Sequence, residues 1–164
     1  MRVAYRTFGC KANQYDTERM RQELEARGGE TVPAHGEADV CVINTCTVTN
    51  QADAEARSWI RRVRRERPGI RIVVAGCSAA LRSAEYRRME GVQGVVEGHD
   101  PVQVALALGD DPSRERCAAP PLAQLGIAPA LERLDREPVA AEILTRREGA
   151  TRGWLKIQDG CDRR

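Results

Sequence analysis

Two hydrophobic periods alternate along the first two thirds of the chain. Val3 to Phe8 reads as a strand. From Gln14 to Arg27, Met20 and Leu24 recur at helical spacing, with Asn13 or Asp16 available as the N-cap and Gly28-Gly29 as the stop. A short Thr31-Val32 segment precedes the strong strand Val40-Cys41-Val42-Ile43. Residues 51 to 67 place Ala52, Ala56, Trp59, Ile60 and Val63 on one side of a helix that Pro68-Gly69 ends. Ile70 to Ala75 is continuously apolar and β-branched, the pattern of a strand covered on both faces. A third helix is expected near Ser83 to Met89, a small strand at Val95-Val96, and a fourth helix from Pro101 through Leu108.

Strands and helices in this rhythm predict an α/β fold, a parallel sheet with right-handed crossovers and helices on both faces. A flavodoxin-like or Rossmann-like sandwich follows. The pattern lapses after Gly109, and five of the eight prolines (Pro112, Pro120, Pro121, Pro129, Pro138) fall in the next stretch. That composition predicts a linker. A new strand, Trp154-Leu155-Lys156-Ile157, then leads to Asp159-Gly160-Cys161 close to the last residue, with no partner strand after it. The expected organisation is a domain over 1–109, a linker over 110–150, and over 151–164 the first strand of a second, truncated domain.

Composition narrows the class. The 164 residues are 41% hydrophobic and 30% charged, which suits a globular chain with a real core. The longest apolar stretch, Ile72 to Leu81, is ten residues and too short to span a bilayer. No basic segment followed by a long apolar one opens the chain, so a cytoplasmic location is expected, with the six cysteines held as thiols.

Three of those cysteines occupy equivalent places. Cys10 follows the first strand, Cys46 the second strong one and Cys77 the third, each in the loop entering a helix. In an open parallel sheet such loops share the edge where ligands bind, so residues 36 and 31 positions apart converge. Glycines before Cys10 and Cys77 allow tight turns or close approach to a bulky ligand. Three thiolates suit an iron–sulfur cluster or zinc, against the plain alternative of small buried side chains. Cys41, inside its apolar strand, reads as core packing; Cys117, in the linker, reads as incidental.

The segments Phe8-Gly9-Cys10-Lys11-Ala12-Asn13-Gln14-Tyr15, Asn44-Thr45-Cys46-Thr47-Val48-Thr49-Asn50 and Ala75-Gly76-Cys77 resemble the N-terminal domain of radical SAM methylthiotransferases. Gly153 to Asp162 is similar to the opening of their catalytic barrel. The resemblance implies an auxiliary 4Fe-4S cluster on Cys10, Cys46 and Cys77. It also implies a second 4Fe-4S cluster whose first ligand is Cys161, with further ligands at positions past Arg164. S-adenosyl-L-methionine would be used twice, once to methylate a sulfur and once to generate the radical that takes hydrogen from C2 of an adenine. Lys11 and Thr47-Val48-Thr49-Asn50 match the branch that acts on threonylcarbamoyladenosine beside the tRNA anticodon. Ala12 and Ser78-Ala79-Ala80 depart from the commoner residues of the family. A tRNA substrate and a reductant are the implied partners, and the 164-residue chain by itself is expected to be inactive.

Charge adds a candidate contact surface. Between Arg57 and Arg71 stand seven arginines and one acidic residue, leaving the remainder of the chain at −4. Arg57, Arg61 and Arg64 share a helix face and could meet RNA phosphates, or form a solvated face in a chain that uses 24 arginines and two lysines. Tyr15 and Trp59 read as packing. His35 and His99 fall in loops without a paired acid or nucleophile, and structural or incidental roles are expected for them. Asn13 and Asn44 flank the cluster cysteines and read either as donors to cluster sulfurs or as helix caps, with capping the preferred reading. A stand-alone metal-binding or redox-sensing module is the competing class, and within the resembled family the alternative is a methylthiotransferase acting on another tRNA adenosine or on a ribosomal protein. A flavin carrier fits less well, because Gly9-Cys10-Lys11-Ala12-Asn13 stands where a hydroxyl-rich phosphate loop belongs.

Overall fold

A computed structural model describes residues 1–47 and 50–109. The elements in chain order are β1 (Arg2–Thr7), α1 (Lys11–Ala26), β2 (Glu30–Thr31), β3 (Val40–Thr45), α2 (Asn50–Glu66), β4 (Arg71–Gly76), α3 (Cys77–Leu81), α4 (Ser83–Arg87), β5 (Val92–Val95) and α5 (Pro101–Ala107). The strands pair in parallel in the order β2-β1-β3-β4-β5, the flavodoxin-type order. The linker at 110–150, the strand at 154–157, Cys117 and Cys161 lie outside the described residues.

Side-chain alternation along the two central strands divides the core. Cys41 and Ile43 of β3, with Ile72 and Val74 of β4, pack in one cluster with Ala52, Ala56, Ile60 and Val63 of α2. Val40, Val42, Val73 and Ala75 point the other way and pack with Met20 and Leu24 of α1 and Val104 of α5. Strands buried on both faces explain the unbroken apolar runs. Ile60 is fully buried, which is worth roughly 1.5–3 kcal/mol for a side chain of its size. Cys41 sits wholly inside, as its strand position predicts, and burial pushes its thiol up to about 12. Trp59 packs against the same core, edge-on to Phe8 with ring centroids 6.4 Å apart.

Element ends depart from the sequence pattern in three places. Helix α1 begins at Lys11, ahead of Gln14, with Cys10 as its N-cap residue and no side-chain cap bond. Asn13 and Asp16 lie inside the helix with other partners, so neither caps it. Strand β5 starts at Val92 rather than Val95, through Gln93 and Gly94, because the missing side chain at Gly94 lets Ala107 close over it. The segment from Cys77 is itself a short helix, α3 (Cys77–Leu81), which four small side chains and a leucine do not announce. The start of α5 follows expectation: Asp100 accepts hydrogen bonds from the Val102 and Gln103 amides, ahead of Pro101.

Candidate metal centre

The carboxyl ends of β1, β3 and β4 lie side by side in the sheet. From β1 the chain turns outward to β2, while β3 lies on the opposite side of β1, so the sheet reverses direction between β1 and β3. Ligands of open α/β sheets bind at such a reversal. Cys10 stands at the start of α1, Cys46 follows β3, and Cys77 opens α3. Cys10 is exposed, Cys77 half-buried and Cys46 buried. Burial raises the pKa of the Cys77 thiol, and charge on Cys46, Cys10 and Asp16 raises it further, so the three sulfurs share one electrostatic neighbourhood.

Backbone glycines make this neighbourhood possible. Gly9 has φ +109°, and a Cβ there would lie 2.7 Å from Cys46 Sγ. Gly76 has φ +102°, and its Cβ would collide with the Thr45 carbonyl oxygen and the Asn44 side-chain oxygen. A left-handed φ with no space for Cβ admits only glycine.

Two buried asparagines tie the loops together instead of capping helices. Asn13 Nδ2 donates to the Phe8 carbonyl at 3.1 Å and the Thr45 carbonyl at 2.8 Å, joining the Cys10 and Cys46 loops. Asn44 Nδ2 donates to the Asn13 carbonyl at 2.8 Å and to Thr17 Oγ1 at 3.1 Å. On the other side, Thr45 Oγ1 donates to the Ala75 carbonyl at 2.6 Å and accepts from the Ala79 amide at 3.2 Å.

The two histidines are paired, contrary to their reading as isolated loop residues. His35 Nε2 lies 2.7 Å from Glu66 Oε2 at the far end of α2. His99 contacts Cys77 Sγ through Nε2 at 3.2 Å and Asp16 Oδ2 through Nδ1 at 3.4 Å. Separations of 22 and 83 residues hide these contacts from any local motif.

A second polar group also escapes sequence reading. Buried Asp53 of α2 accepts hydrogen bonds at Oδ1 from Ser78 Oγ and from the Tyr86 hydroxyl. Its Oδ2 pairs with Arg57 at 2.9 Å and Arg82 at 3.6 Å. Burial works against the charge, yet the two hydroxyls and two guanidiniums outweigh it and hold the carboxyl below its usual range.

That pairing changes the picture of the arginine face. Arg57 is bound by Asp53 and by Glu85 at 3.1 Å, and Arg64 meets Glu90 at 3.2 Å. Arg61, Arg64 and Arg65 line a groove of about 490 Å³ with Ser58, Met89 and Glu90. At a helical rise of about 1.5 Å per residue, Arg64 sits roughly 20 Å along α2 from its cysteine-edge start. Arg57 therefore stands nearer the thiols, and Arg61 and Arg64 progressively farther away.

These features define a doubly wound α/β domain with three thiols at its ligand-binding edge. Residues 2–98 match the uncharacterized protein family UPF0004. The chain belongs to this family, the N-terminal domain of the methylthiotransferases. It is 39% identical over 160 residues to the threonylcarbamoyladenosine tRNA methylthiotransferase MtaB of Bacillus subtilis, covering 98% of this chain and 34% of that protein. The protein of the same name from Aquifex aeolicus is 30% identical over 173 residues, with 99% and 38% covered. The tRNA-2-methylthio-N(6)-dimethylallyladenosine synthase of Frankia casuarinae is 35% identical over 161 residues, with 96% and 28% covered. The chain thus spans about a third of the length of these relatives.

Among the described residues, no group of three His, Cys, Asp or Glu side chains is arranged to hold a single metal ion. A cluster makes a different demand, because each thiolate binds a separate iron. Three soft donors at one edge, with the Cβ-free backbone of Gly9 against Cys46, fit that larger group. No described helix is long and apolar enough to cross a membrane.

Proposed function

We propose that this chain is the N-terminal part of a tRNA methylthiotransferase that places a methylthio group on C2 of N6-threonylcarbamoyladenosine beside the anticodon. The convergence of Cys10, Cys46 and Cys77 beyond three adjacent strands carries the reading, supported by relatives that bear this name. Cys10, Cys46 and Cys77 would hold an auxiliary 4Fe-4S cluster, which supplies one iron without a protein thiolate where sulfur can bind. Asn13 and Asn44 keep the Cys10 and Cys46 loops in register with each other, and Gly9 and Gly76 let the backbone pass close to the sulfurs.

Cys161 would be the first thiolate of a second 4Fe-4S cluster, in a radical SAM domain that binds S-adenosyl-L-methionine and draws electrons from a reductant. Cys161 alone does not complete that ligand set, so the 164-residue chain is proposed to bind iron without turning over. Arg61 and Arg64, with Arg57 nearer the thiols, are proposed contacts to tRNA phosphates, and the protein is proposed to work in the cytoplasm.

Anaerobic reconstitution with iron and sulfide tests the central claim. The expected result is about four irons per chain with broad visible absorption, lost in Cys10→Ala, Cys46→Ala or Cys77→Ala and kept in Cys117→Ala. Zinc uptake without an iron chromophore would overturn it. In the full-length enzyme, methylthiolation of tRNA carrying isopentenyladenosine but not threonylcarbamoyladenosine would overturn the substrate assignment alone.

A further inference from the structure

Asp16, His99 and Cys77 come from α1, the β5–α5 turn and the first residue of α3, yet they form one line of contacts. Asp16 Oδ2 lies 3.4 Å from His99 Nδ1, and His99 Nε2 lies 3.2 Å from Cys77 Sγ. Nε2 is therefore directed at the sulfur, while Nδ1 stands near the carboxylate without a hydrogen bond to it. Asp16 is only 3% exposed, so the carboxylate behind the ring is fixed by the packing of α1.

The backbone fixes the other two members. The Gly76 amide donates to the Gly98 carbonyl at 2.7 Å, in an isolated bridge that joins the residue before Cys77 to the residue before His99. Asp100, the next residue, is held by its own N-cap bonds to Val102 and Gln103. The imidazole and the thiol are thus carried on adjoining, hydrogen-bonded segments.

We infer that His99 is a positioning residue for the auxiliary cluster, donating a hydrogen bond from Nε2 to Cys77 Sγ from a segment that the Gly76–Gly98 bridge holds in place. The inference rests on the cluster reading above. A sulfur bound to iron has no hydrogen of its own, so the hydrogen in this contact belongs to Nε2. Partners behind metal ligands set ligand orientation and charge. A hydrogen bond to a ligating sulfur draws charge from it and favours the reduced cluster.

The test compares the reconstituted 164-residue chain with His99→Ala and His99→Gln. Its readout is the midpoint reduction potential of the loaded fraction, titrated with dithionite, beside iron content and thermal unfolding. Loss of the donor in His99→Ala shifts the potential to more negative values. His99→Gln, which keeps an N–H donor, returns part of the shift. Because the potential is read on loaded protein, reduced iron uptake does not hide the result. A fully parental potential in His99→Ala overturns the inference and leaves the cluster reading standing. A parent chain that takes up no four-iron cluster overturns both.

Discussion

The hydroxyl of Tyr86 donates a 2.7 Å hydrogen bond to Oδ1 of Asp53, 33 residues earlier in the chain. The same oxygen accepts from Ser78, the residue that follows Cys77. Helices α2, α3 and α4 are thereby tied to one buried carboxylate next to the thiol edge. Burial above all, with the Asp53 charge adding to it, pushes the Tyr86 phenol up to about 12, so it remains a donor at every ordinary pH.

Tyr86→Phe leaves the Asp53 carboxylate one donor short in the interior. The expected loss is about 1–3 kcal/mol of unfolding free energy, read from urea unfolding curves. Phenylalanine keeps the packing of the ring, so the loss reports the hydroxyl.

Asp53 also gives stability a defined acid dependence. Its folded pKa is depressed, so its stabilising contribution is complete above the unfolded value of about 3.9 and is lost as pH falls through the lower folded value. Asp53→Asn should flatten the acid limb of a plot of urea midpoint against pH. An acid limb as steep as the parent's would assign that dependence to other carboxylates.

Gly76→Ala meets both a left-handed φ of +102° and a collision with the Thr45 carbonyl. Neither can relax without separating β3 from β4, whose pairing ends at Thr45 and Gly76. The variant is expected to lose several kcal/mol or fail to accumulate folded, whereas Gly69→Ala, with open space around its Cβ, should melt near the parent.

Thiol modification should follow accessibility. In apoprotein, a maleimide or iodoacetamide pulse read by peptide mass spectrometry should label Cys10 before Cys77 and Cys46, and Cys41 last. Cys41 combines full burial with a thiol raised to about 12, so it reacts only on unfolding.

Charge reversal separates the arginines. Arg61→Glu with Arg64→Glu in the full-length enzyme is expected to weaken tRNA binding and to reduce its salt dependence. Arg57→Glu should instead destabilise the fold, because it sets a carboxylate against buried Asp53. Unchanged affinity and salt slope in the double variant would remove these side chains from the RNA surface.

The fold was legible wherever apolar period alone decides it. Val40 to Ile43 and Ile70 to Ala75 carry unbroken β-branched runs because both their faces are covered, and the α2 stripe from Ala52 to Val63 has a single buried side. The three cysteines were legible because topology gathers strand ends whatever their distance in sequence. What escaped is tertiary by nature. Asn13 looks like a cap and is a loop tie, since its amide meets carbonyls from two different strand ends. His99 looks solitary because its partners lie on α1 and α3. Arg57 looks like part of a free basic face because one partner, Glu85, comes from α4, and because the burial of Asp53, one helical turn before it, is set by packing.

Strand order gives the thiol edge one more property. Cys10, Cys46 and Cys77 become neighbours only when β1, β3 and β4 are paired, and no two of them lie within one local hairpin or helix. A ligand that needs all three is a chelate closed by the sheet itself, with loops of more than 30 residues between its donors. Such a ligand stabilises correctly assembled chains by mass action and leaves misregistered ones unloaded. Loading with such a ligand would double as an inspection of folding, and its release under denaturant would be a clock for the opening of the central strands.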